Sequence, residues 1–397
     1  MPGQDISRRI AVVGAGLAGL AAAESLVQAG RDVVVLEARN RVGGRVWSRT
    51  LPGGQVVEMG AEFILPGNTV VEETARRLGL SLWEKGMAYG RREPRGVPVT
   101  DAELRDAAAA IERALEDPAV ERGSAAALLE RIAVPDPVRE AIRARVEIST
   151  AAAAEDVGAD ELAGVAAFSD APSAGVAGGN QGIAHTLAAR LGDRVRLRSP
   201  VTRIAWGDGV RVGEVEVDAV VVAVPAPLAG EIRFEPPLPD ALRAAVEGVR
   251  YGHAAKLFVP LGERPPASAV LSVPERYWTW TARAGDEVQP VVHAFAGSQR
   301  ALERLGVPAG PDAWLASLAR LRPDLALEPD GAVLSRWADD PWARGAYSVH
   351  TPGGNDPALA QRYGALVLAG EYTAGPYAAL MEGALRSGAR AAAQLLA

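Results

Sequence analysis

Three glycines near the start of the sequence have the spacing of a phosphate-binding loop. Gly14, Gly16 and Gly19 follow the apolar run Ile10–Val13. The first glycine permits a tight turn, the second lets backbone approach a pyrophosphate, and the third lets a helix pack on a strand. Glu37 ends the next apolar run about 20 residues on, where a carboxylate can reach a ribose hydroxyl. The pattern predicts a dinucleotide site, because a merely glycine-rich turn would lack these flanking elements.

A second glycine pair indicates which dinucleotide. Gly43 and Gly44 lie between Arg41 and Arg45, directly after Glu37. A nicotinamide-dependent dehydrogenase has no need of this loop. In a flavoprotein FAD can lie across it, with the arginine near the pyrophosphate or the flavin. The other interpretation is a turn whose arginines face solvent.

Lysine is scarce in this chain, which makes its positions informative. Lys85 and Lys256 are the two lysines, against forty arginines. Lys256 lies in an apolar, strand-like run, where a charged residue needs a reason. A compact, rotatable ammonium fits where a planar guanidinium fork would crowd its neighbours. Lys256 is therefore a candidate functional residue, with a solvent-facing lysine on an edge strand as the other interpretation.

Several chemistries are excluded by residue types. The sequence contains no cysteine, which excludes disulfides, thiolate zinc sites, cysteine nucleophiles and flavin attachment through a cysteine sulfur. The four histidines are scattered without metal-ligand spacing, so no metal site is expected. Arg91 and Arg92 could meet a substrate carboxylate, but a solvated loop is the preferred interpretation in so arginine-rich a chain.

The charge balance and hydropathy limit the expected partners. A net charge of −7 at pH 7 argues against nucleic acid, because phosphate binding needs a basic face. No apolar stretch is long enough to span a membrane, and residues 1–9 carry no export signal. These features predict a cytoplasmic protein that binds a small molecule and contacts neither nucleic acid nor membrane.

The elements that must position these residues predict an α/β fold. Ile10–Val13, an alanine-rich helix over 20–30 and the buried run Asp32–Glu37 form a βαβ unit. Alternating short strands over 194–225, joined by turns, predict a β-meander beside a parallel sheet. Further predicted elements are a helix after residue 178, a buried strand over 365–370 and a helix over 380–396.

The order of these elements predicts two discontinuous domains. Residues 1–75, 178–262 and 345–397 are expected to form a Rossmann-type FAD-binding domain that contains the parallel sheet and the β-meander. Residues 76–177 and 263–344 are expected to form an inserted, mixed α+β substrate-binding domain.

Four blocks of the sequence resemble the flavin-dependent amine oxidases, the family of the monoamine, polyamine and L-amino-acid oxidases. The blocks occur in the family's order and bracket nearly the whole chain, whereas the helical and tryptophan-rich inserts match only in length and position. The blocks are Val12–Leu20 with Glu37 and Arg41–Arg45; Glu58–Phe63; Pro200–Ile204 with Val220–Pro225; and Leu368–Thr373 with Leu380–Ala384.

The resemblance implies an FAD site assembled from all four blocks. Val201 would contact the adenine, Glu37 would hold the ribose, and Gly370 with its neighbours would line the ribityl chain and pyrophosphate. Met381 would offer its N–H to the flavin pyrimidine edge, where a helix N-terminus would stabilise the negative charge of reduced flavin. The residues implied to bind FAD are Gly14, Gly16, Gly19, Glu37, Ala38, Arg39, Gly43, Gly44, Arg45, Gly60, Ala61, Glu62, Val201, Gly370, Glu371, Thr373, Leu380 and Met381.

The resemblance also implies three residues beside the reacting end of the flavin. In the family, a lysine on a strand after the third block holds a water against flavin N5, and Lys256 matches that position. Two aromatic rings face the flavin in the family. Tyr347 matches the first ring, whereas Leu380 occupies the position of the second, with Tyr377 or Trp342 as candidates to replace it.

The implied function is FAD-dependent amine oxidation. The α-carbon of the amine gives a hydride to flavin N5, the imine hydrolyses to a carbonyl product, and dioxygen reoxidises the flavin to give hydrogen peroxide. Ala346 stands where mammalian monoamine oxidases carry the cysteine that binds flavin, which implies non-covalent FAD; a homodimer is the candidate assembly.

Three alternatives stay open at this point. They are a C–C desaturase or oxidase of the protoporphyrinogen or carotenoid type, an L-amino-acid oxidase, and a flavin-binding scaffold without catalysis. Lys256 and the block around Tyr347 argue against the desaturase, and Leu380 is the support for the scaffold.

Overall fold

Short runs of valine, isoleucine and leucine form a six-stranded sheet next to the glycine loop. The computed structural model describes residues 9–166, 170–207 and 209–397, and five of the six strands in this sheet run parallel. Strands of a parallel sheet are covered on both faces, so their apolar residues run without alternation. The predicted α/β fold with a parallel sheet is confirmed. In spatial order the strands are β21 (Arg362–Tyr363), β22 (Leu366–Leu368), β12 (Ala219–Val222), β1 (Arg9–Val13), β2 (Asp32–Leu36) and β8 (Val195–Arg196).

A second six-stranded sheet carries Lys256. Its strands pair antiparallel, apart from one parallel pair at the edge. The predicted boundary at residue 262 assigns the Lys256 strand to the FAD-binding part, and in the structure this strand pairs with strands from 263–344. In spatial order the strands are β20 (Val333–Arg336), β14 (Ala254–Pro260), β19 (Val291–Gly297), β16 (Tyr277–Thr281), β15 (Ser268–Ser272) and β6 (Glu93–Arg95).

Smaller sheets complete the β-structure of the described residues. One has four strands and contains the meander that the sequence predicts beside the parallel sheet; three others are two-stranded. The four-stranded sheet consists of β11 (Val215–Val217), β10 (Val210–Val212), β9 (Arg203–Trp206) and β13 (Arg233–Glu235). The two-stranded pairs are β3 (Ser48–Thr50) with β4 (Val56–Glu58), β5 (Leu82–Glu84) with β7 (Ala174–Val176), and β17 (Arg283–Ala284) with β18 (Glu287–Val288).

Helices cover both large sheets. Residues 101–154, rich in Ala, Arg, Glu and Leu, contain three helices, and the first begins with a capping box between Thr100 and Glu103. None of the helices described is long and apolar enough to cross a membrane. The helices are α1 (Leu17–Gln28), α2 (Thr69–Arg77), α3 (Asp101–Glu116), α4 (Ala125–Arg131), α5 (Asp136–Thr150), α6 (Glu161–Ala166), α7 (Gln181–Leu191), α8 (Ala226–Glu231), α9 (Asp240–Gly248), α10 (Gln299–Arg304), α11 (Asp312–Leu321) and α12 (Met381–Leu396).

The first and last helices pack closely against each other. A Cβ atom at Gly388 of α12 would lie 2.2 Å from the carbonyl oxygen of Ala18 in α1. Only glycine allows this approach of two backbones. The prediction that residues 1–9 carry no export signal concerns a segment of which residues 1–8 lie outside the described part.

Candidate active site

A cavity of about 410 Å³ joins the glycine loop to the second sheet. Its walls include the ends of β1 and β2, the first residues of α1 and α12, and residues of β14, β16 and β19. Segments far apart in the sequence therefore meet around one concave space. A large, mostly apolar cavity with a few converging polar groups is the usual form of a small-molecule site.

The glycine loop has the geometry that its spacing predicts. Gly14 has φ +100°, and a Cβ there would lie 2.8 Å from the carbonyl oxygen of Ala223. A Cβ on Gly19 would lie 2.0 Å from the Gly14 carbonyl oxygen, so this residue lets α1 pack under the loop. At Gly16, which lines the cavity, a Cβ would meet nothing within 4 Å. The loop is thus tight on the protein side and open on the cavity side.

Glu37 ties the loop to the end of β2. Its carboxylate is buried and accepts the backbone N–H of Ala15 at 2.7 Å and that of Arg39 at 2.8 Å. Arg39 in turn forms two hydrogen bonds of 2.7 Å to the carboxylate of Asp340. Glu37 lines the cavity and keeps lone pairs beyond those two contacts.

Arg45 and Glu371 connect the second glycine loop to the C-terminal part of the site. The guanidinium donates to the Glu371 carboxylate at 2.8 Å and to the Ala346 carbonyl at 2.9 Å. Burial by itself favours the neutral acid, but Arg45 and hydrogen bonds from Ser348 and Ala379 hold the pKa of Glu371 below its ordinary value. Glu371 is therefore ionised and has its partners within the protein.

The ammonium of Lys256 is buried beside the cavity and fully hydrogen-bonded. Lys256 is 6% exposed, and its Nζ donates to the carbonyls of Glu58 at 3.0 Å and Gly60 at 2.8 Å and to Oε2 of Glu62 at 2.8 Å. An ammonium has three N–H donors, so each has a protein acceptor. The predicted water on Lys256 would have to share or replace one of these contacts.

Of the three groups that accept hydrogen bonds from the Lys256 ammonium, Glu62 is the charged one. Its side chain is 1% exposed, and Oε1 accepts the indole N–H of Trp280 at 3.1 Å and lies 3.6 Å from Nζ of Lys85. Burial opposes ionisation, but the nearby cations, Lys256 foremost, hold the pKa of Glu62 well below its ordinary value. His293 lies 3.4 Å away, and burial lowers the pKa of its ring. One ionised carboxylate is thus shared by both lysines of the chain.

Alternate residues of three strands form an aromatic wall next to Lys256. The register places Lys256 opposite Phe295 and Phe295 opposite Trp278, and all three side chains point to one face of the sheet. The rings of Trp278 and Trp280 stack with their centroids 4.2 Å apart. The aromatic residues that line this end of the cavity are Phe63, Tyr89, Trp278, Trp280, Phe295 and Tyr347.

Tyr347 and Leu380, the two positions that the family resemblance implies to flank a substrate, both line the cavity. The Tyr347 hydroxyl donates to the carbonyl of Ser149 at 2.8 Å, and burial raises the pKa of this phenol. The hydrogen bond fixes the ring. Leu380 precedes α12 as its N-cap residue and supplies an aliphatic surface instead of a second ring.

The two candidates for the missing ring lie in different places. Trp342 lines the cavity and is 38% exposed. Tyr377 is not among the lining residues. Its ring packs against the guanidinium of Arg386, with Cζ of Arg386 4.3 Å from the ring centroid. Of the two, only Trp342 is therefore placed to contact a molecule in the cavity.

The two adjacent arginines predicted to lie in a solvated loop differ in burial. Arg91 is partly exposed and forms ion pairs with Asp101 and Asp170. Arg92 is 3% exposed, with its guanidinium 4.1 Å from the ring centroid of Tyr89 and 4.0 Å from that of Trp278. The prediction is wrong for Arg92, which places a cation directly behind the aromatic wall.

The structure brings nearly all of the predicted site residues to this cavity. Gly19 and Thr373 are the exceptions: Gly19 packs beneath the loop, and Thr373 bonds to the Gly370 carbonyl and to Arg390. The predicted residues that line the cavity are Gly14, Gly16, Glu37, Ala38, Arg39, Gly43, Gly44, Arg45, Gly60, Ala61, Glu62, Val201, Lys256, Tyr347, Gly370, Glu371, Leu380 and Met381.

Part of the site has no counterpart in the sequence-based predictions. The role of Glu62 as a partner of Lys85 and Lys256 was not predicted, although the scarcity of lysine pointed to both cations. The alternation Tyr277-Trp278-Thr279-Trp280 could also have indicated that both indoles share one face.

Comparisons with known proteins agree with this geometry. A sequence model of the family described as flavin containing amine oxidoreductase matches residues 17–396. A putrescine oxidase of Kocuria rosea is 31% identical in an alignment that covers 87% of this chain and 85% of that protein. The human flavin-containing amine oxidase B is 25% identical, with 98% and 86% covered.

Solved structures share the fold. A putrescine oxidase structure described as bound to putrescine aligns with a TM-score of 0.82 and 24% identity over 98% of this chain and 99% of that chain. A cyclohexylamine oxidase from Brevibacterium oxydans aligns with a TM-score of 0.83 and 22% identity, with 98% of each chain covered.

Proposed function

Because this chain belongs to the flavin-containing amine oxidoreductase family, we propose that it oxidises a monoamine with an apolar carbon skeleton and binds FAD without a covalent link. The substrate class rests on the hydrogen bonds and ion pairs of the carboxylates that line the cavity. Each carboxylate that lines the cavity in the described part of the chain already has a partner within the protein.

The chain is an FAD-dependent amine oxidase. When bound, FAD would supply the two-electron acceptor: the amine would lose a hydride from its α-carbon, the resulting imine would be hydrolysed to a carbonyl product and ammonia or a smaller amine, and dioxygen would take the electrons to give hydrogen peroxide. The protein supplies binding, orientation and a dry environment for this chemistry.

The residues around the glycine loop fit FAD. The cavity side of Gly16 is open, and α1 begins without a side-chain cap, so its first N–H groups are available to phosphate oxygens. We assign the pyrophosphate to this helix end and to Gly43, Gly44 and Arg45. We assign the ribose to Glu37, whose spare lone pairs can accept hydrogen bonds from its hydroxyls. We assign the adenine to the backbone at Val201.

A second helix end fits the flavin ring. The α12 helix also begins without a side-chain cap, and its first residue, Met381, lines the cavity. We propose that its N–H and the positive end of the helix dipole serve the pyrimidine edge, where negative charge collects on reduction. The residues that we assign to the ribityl and pyrophosphate region are Gly370, Glu371 and Thr373. Thr373 does not line the cavity and supports Gly370 by a hydrogen bond to its carbonyl.

The aromatic end of the cavity is suited to an uncharged amine. Lys256 and Arg92 place two cations at this wall, which makes a protonated substrate unfavourable there. An amine bound as the free base keeps the nitrogen lone pair that assists loss of hydride. We propose that Tyr347 and Leu380 flank this amine, with Tyr347 fixed by its hydrogen bond to Ser149.

The cavity carboxylates argue against a second amino group. Glu37 accepts two backbone N–H groups, Glu62 is shared by two lysines, Glu231 pairs with Arg344, and Glu371 pairs with Arg45. The Kocuria relative is named for putrescine, a diamine. A second ammonium buried here would lack a free acidic partner, which is costly. This supports a monoamine.

An anaerobic titration of the holoenzyme tests the substrate class. We expect benzylamine or cyclohexylamine to bleach the flavin absorbance with at least about a tenfold higher rate constant per unit concentration than putrescine, because a site with no partner for a charged group discriminates against it. Air should restore the colour. Faster reduction by putrescine would contradict the proposal, and a flavin that no amine reduces would contradict amine oxidation itself.

A carboxylate-bearing amine is the second candidate, and Arg92 is the observation that favours it. Its Nη2 atom is buried and has no hydrogen-bond partner among the described residues. A substrate carboxylate would have to part the edge contact between Tyr89 and Trp278, whose ring centroids lie 5.6 Å apart, to take that donor. The same titration decides, since phenylalanine would then reduce the flavin faster than phenethylamine does.

Non-covalent attachment has its own test. The sequence has no cysteine, and Ala346 lines the cavity at the position implied to carry the covalent link in mammalian relatives. We expect acid precipitation of the holoenzyme to leave all of the flavin in the supernatant and a colourless pellet. A yellow pellet after washing in denaturant would contradict this.

A further inference from the structure

We propose, resting on the amine oxidase function above, that Glu62 is the positioning residue for Lys256. By sharing its carboxylate between both lysines of the chain, Glu62 fixes where the Lys256 ammonium points. It also sets how much positive charge the protein presents to the bound cofactor.

The distribution of lysine is the first observation. In a chain with forty arginines, the two lysines converge on one carboxylate, at 2.8 Å for Lys256 and 3.6 Å for Lys85. Both side chains are largely buried, with 16% of Lys85 exposed. Three acceptors converge on the single nitrogen of Lys256, a geometry that suits a compact ammonium and not a planar fork.

The direction of the ammonium is the second observation. Its two neutral acceptors, the carbonyls of Glu58 and Gly60, belong to the same short segment as Glu62. With a neutral residue at position 62, only these carbonyls and a weaker acceptor would remain. One N–H could then turn into the cavity, where Lys256 is a lining residue. The carboxylate therefore holds the ammonium against the 58–62 segment.

The anchoring of Glu62 is the third observation. Trp280 donates its indole N–H to Oε1 and stacks on Trp278, so the carboxylate cannot swing away without disrupting the aromatic wall. Glu58, four residues earlier, has different partners: its carboxylate accepts from the Asn180 N–H at 2.7 Å and the Ser48 hydroxyl at 2.8 Å. Glu58 thus provides a matched buried carboxylate whose side chain does not bind Lys256.

The charges make a signed prediction possible. Glu62→Gln removes a negative charge beside Lys256, whereas Lys85→Gln removes a positive charge from the same carboxylate. Reduced flavin carries negative charge, so added positive potential favours it. The two substitutions should therefore move the reduction potential of the bound flavin in opposite directions, which loss of packing would not do.

The first experiment measures the midpoint potential of the bound flavin with a chemical reductant and a reference dye, and needs no amine. We expect a more positive potential for Glu62→Gln, a more negative one for Lys85→Gln, and a near-parental one for the charge-conserving Lys85→Arg. Shifts in the same direction, or none in either variant, would overturn the proposal. A holoenzyme that no amine reduces would instead refute the proposed function and leave this measurement intact.

A second experiment observes the ammonium directly. Protein labelled with ¹⁵N-lysine can give only two side-chain signals, and Lys85→Arg assigns them. We expect a slowly exchanging Lys256 ammonium in the parent, in Lys85→Arg and in Glu58→Gln, and at least tenfold faster proton exchange in Glu62→Gln. If Glu62→Gln does not fold, fast exchange of Lys256 in Lys85→Arg alone would still overturn the proposal.

Discussion

Lys256→Met is expected to slow reduction of the bound flavin by amine at least about 100-fold while FAD stays bound, the size of effect seen when one preorganised charge is removed from an active site. Methionine keeps the volume and flexibility of the lysine stem but removes the ammonium beside the cavity. Stopped-flow reduction under anaerobic conditions gives the rate, and the visible spectrum reports bound FAD. A variant that reduces at the parental rate would show that Lys256 is not a catalytic residue.

A double variant separates chemistry from stability in this experiment. Lys256→Met leaves Glu62 buried without its 2.8 Å partner, and removal of one member of a buried ion pair costs about 3–5 kcal/mol. Lys256→Met/Glu62→Gln removes both charges of this pair, and Lys85 then loses its carboxylate partner. We expect the double variant to recover part of the thermal midpoint but none of the rate. Recovery of the rate together with the midpoint would mean that the single variant was merely misfolded.

Gly388→Ala is expected to lower the free energy of unfolding by about 3 kcal/mol or more, at the upper end of the cost of inserting a methyl group into a packed interior. The new Cβ would lie 2.2 Å from the Ala18 carbonyl oxygen and 3.0 Å from the Ala22 nitrogen. Because both are backbone atoms, α1 and α12 would have to separate. We expect weaker FAD binding as well, measured by titrating the apoprotein with FAD alongside thermal unfolding.

The matched control is another helical glycine. A Cβ at Gly182 of α7 would have its nearest neighbour at 3.7 Å, an ordinary contact with Val176. Gly182→Ala should be neutral or stabilise by up to about 1 kcal/mol through helix propensity. If Gly388→Ala and Gly182→Ala behave alike, close packing of the two helices does not limit stability.

Local pattern was sufficient for most of the fold, and the differences have local causes. The first of the short strands predicted over 194–225 is only Val195–Arg196, because the residues before it form a single 3₁₀ turn. The helix predicted after residue 178 begins at Gln181. Gly178 and Gly179 have positive φ angles, which exclude them from a right-handed helix.

The candidate site also has a part that could be predicted from the sequence and a part that could not. The glycine loop and Glu37 could be predicted because their spacing along one βαβ unit fixes their geometry. The partners of Lys256 could not, because Glu62 and Trp280 meet it only through the register of the second sheet and its contact with the 58–62 segment. Sequence spacing carries no information about such contacts when the segments lie this far apart.

The crossing of α1 and α12 has a consequence for how the protein is made. Synthesis proceeds from the N-terminal end, and domains generally fold as the chain emerges from the ribosome. The glycine loop emerges early, but the cavity that it faces also needs Leu380 and Met381. A nascent chain that still lacks this helix therefore presents an incomplete form of the proposed cofactor site. We expect stable capture of FAD to follow the synthesis of α12.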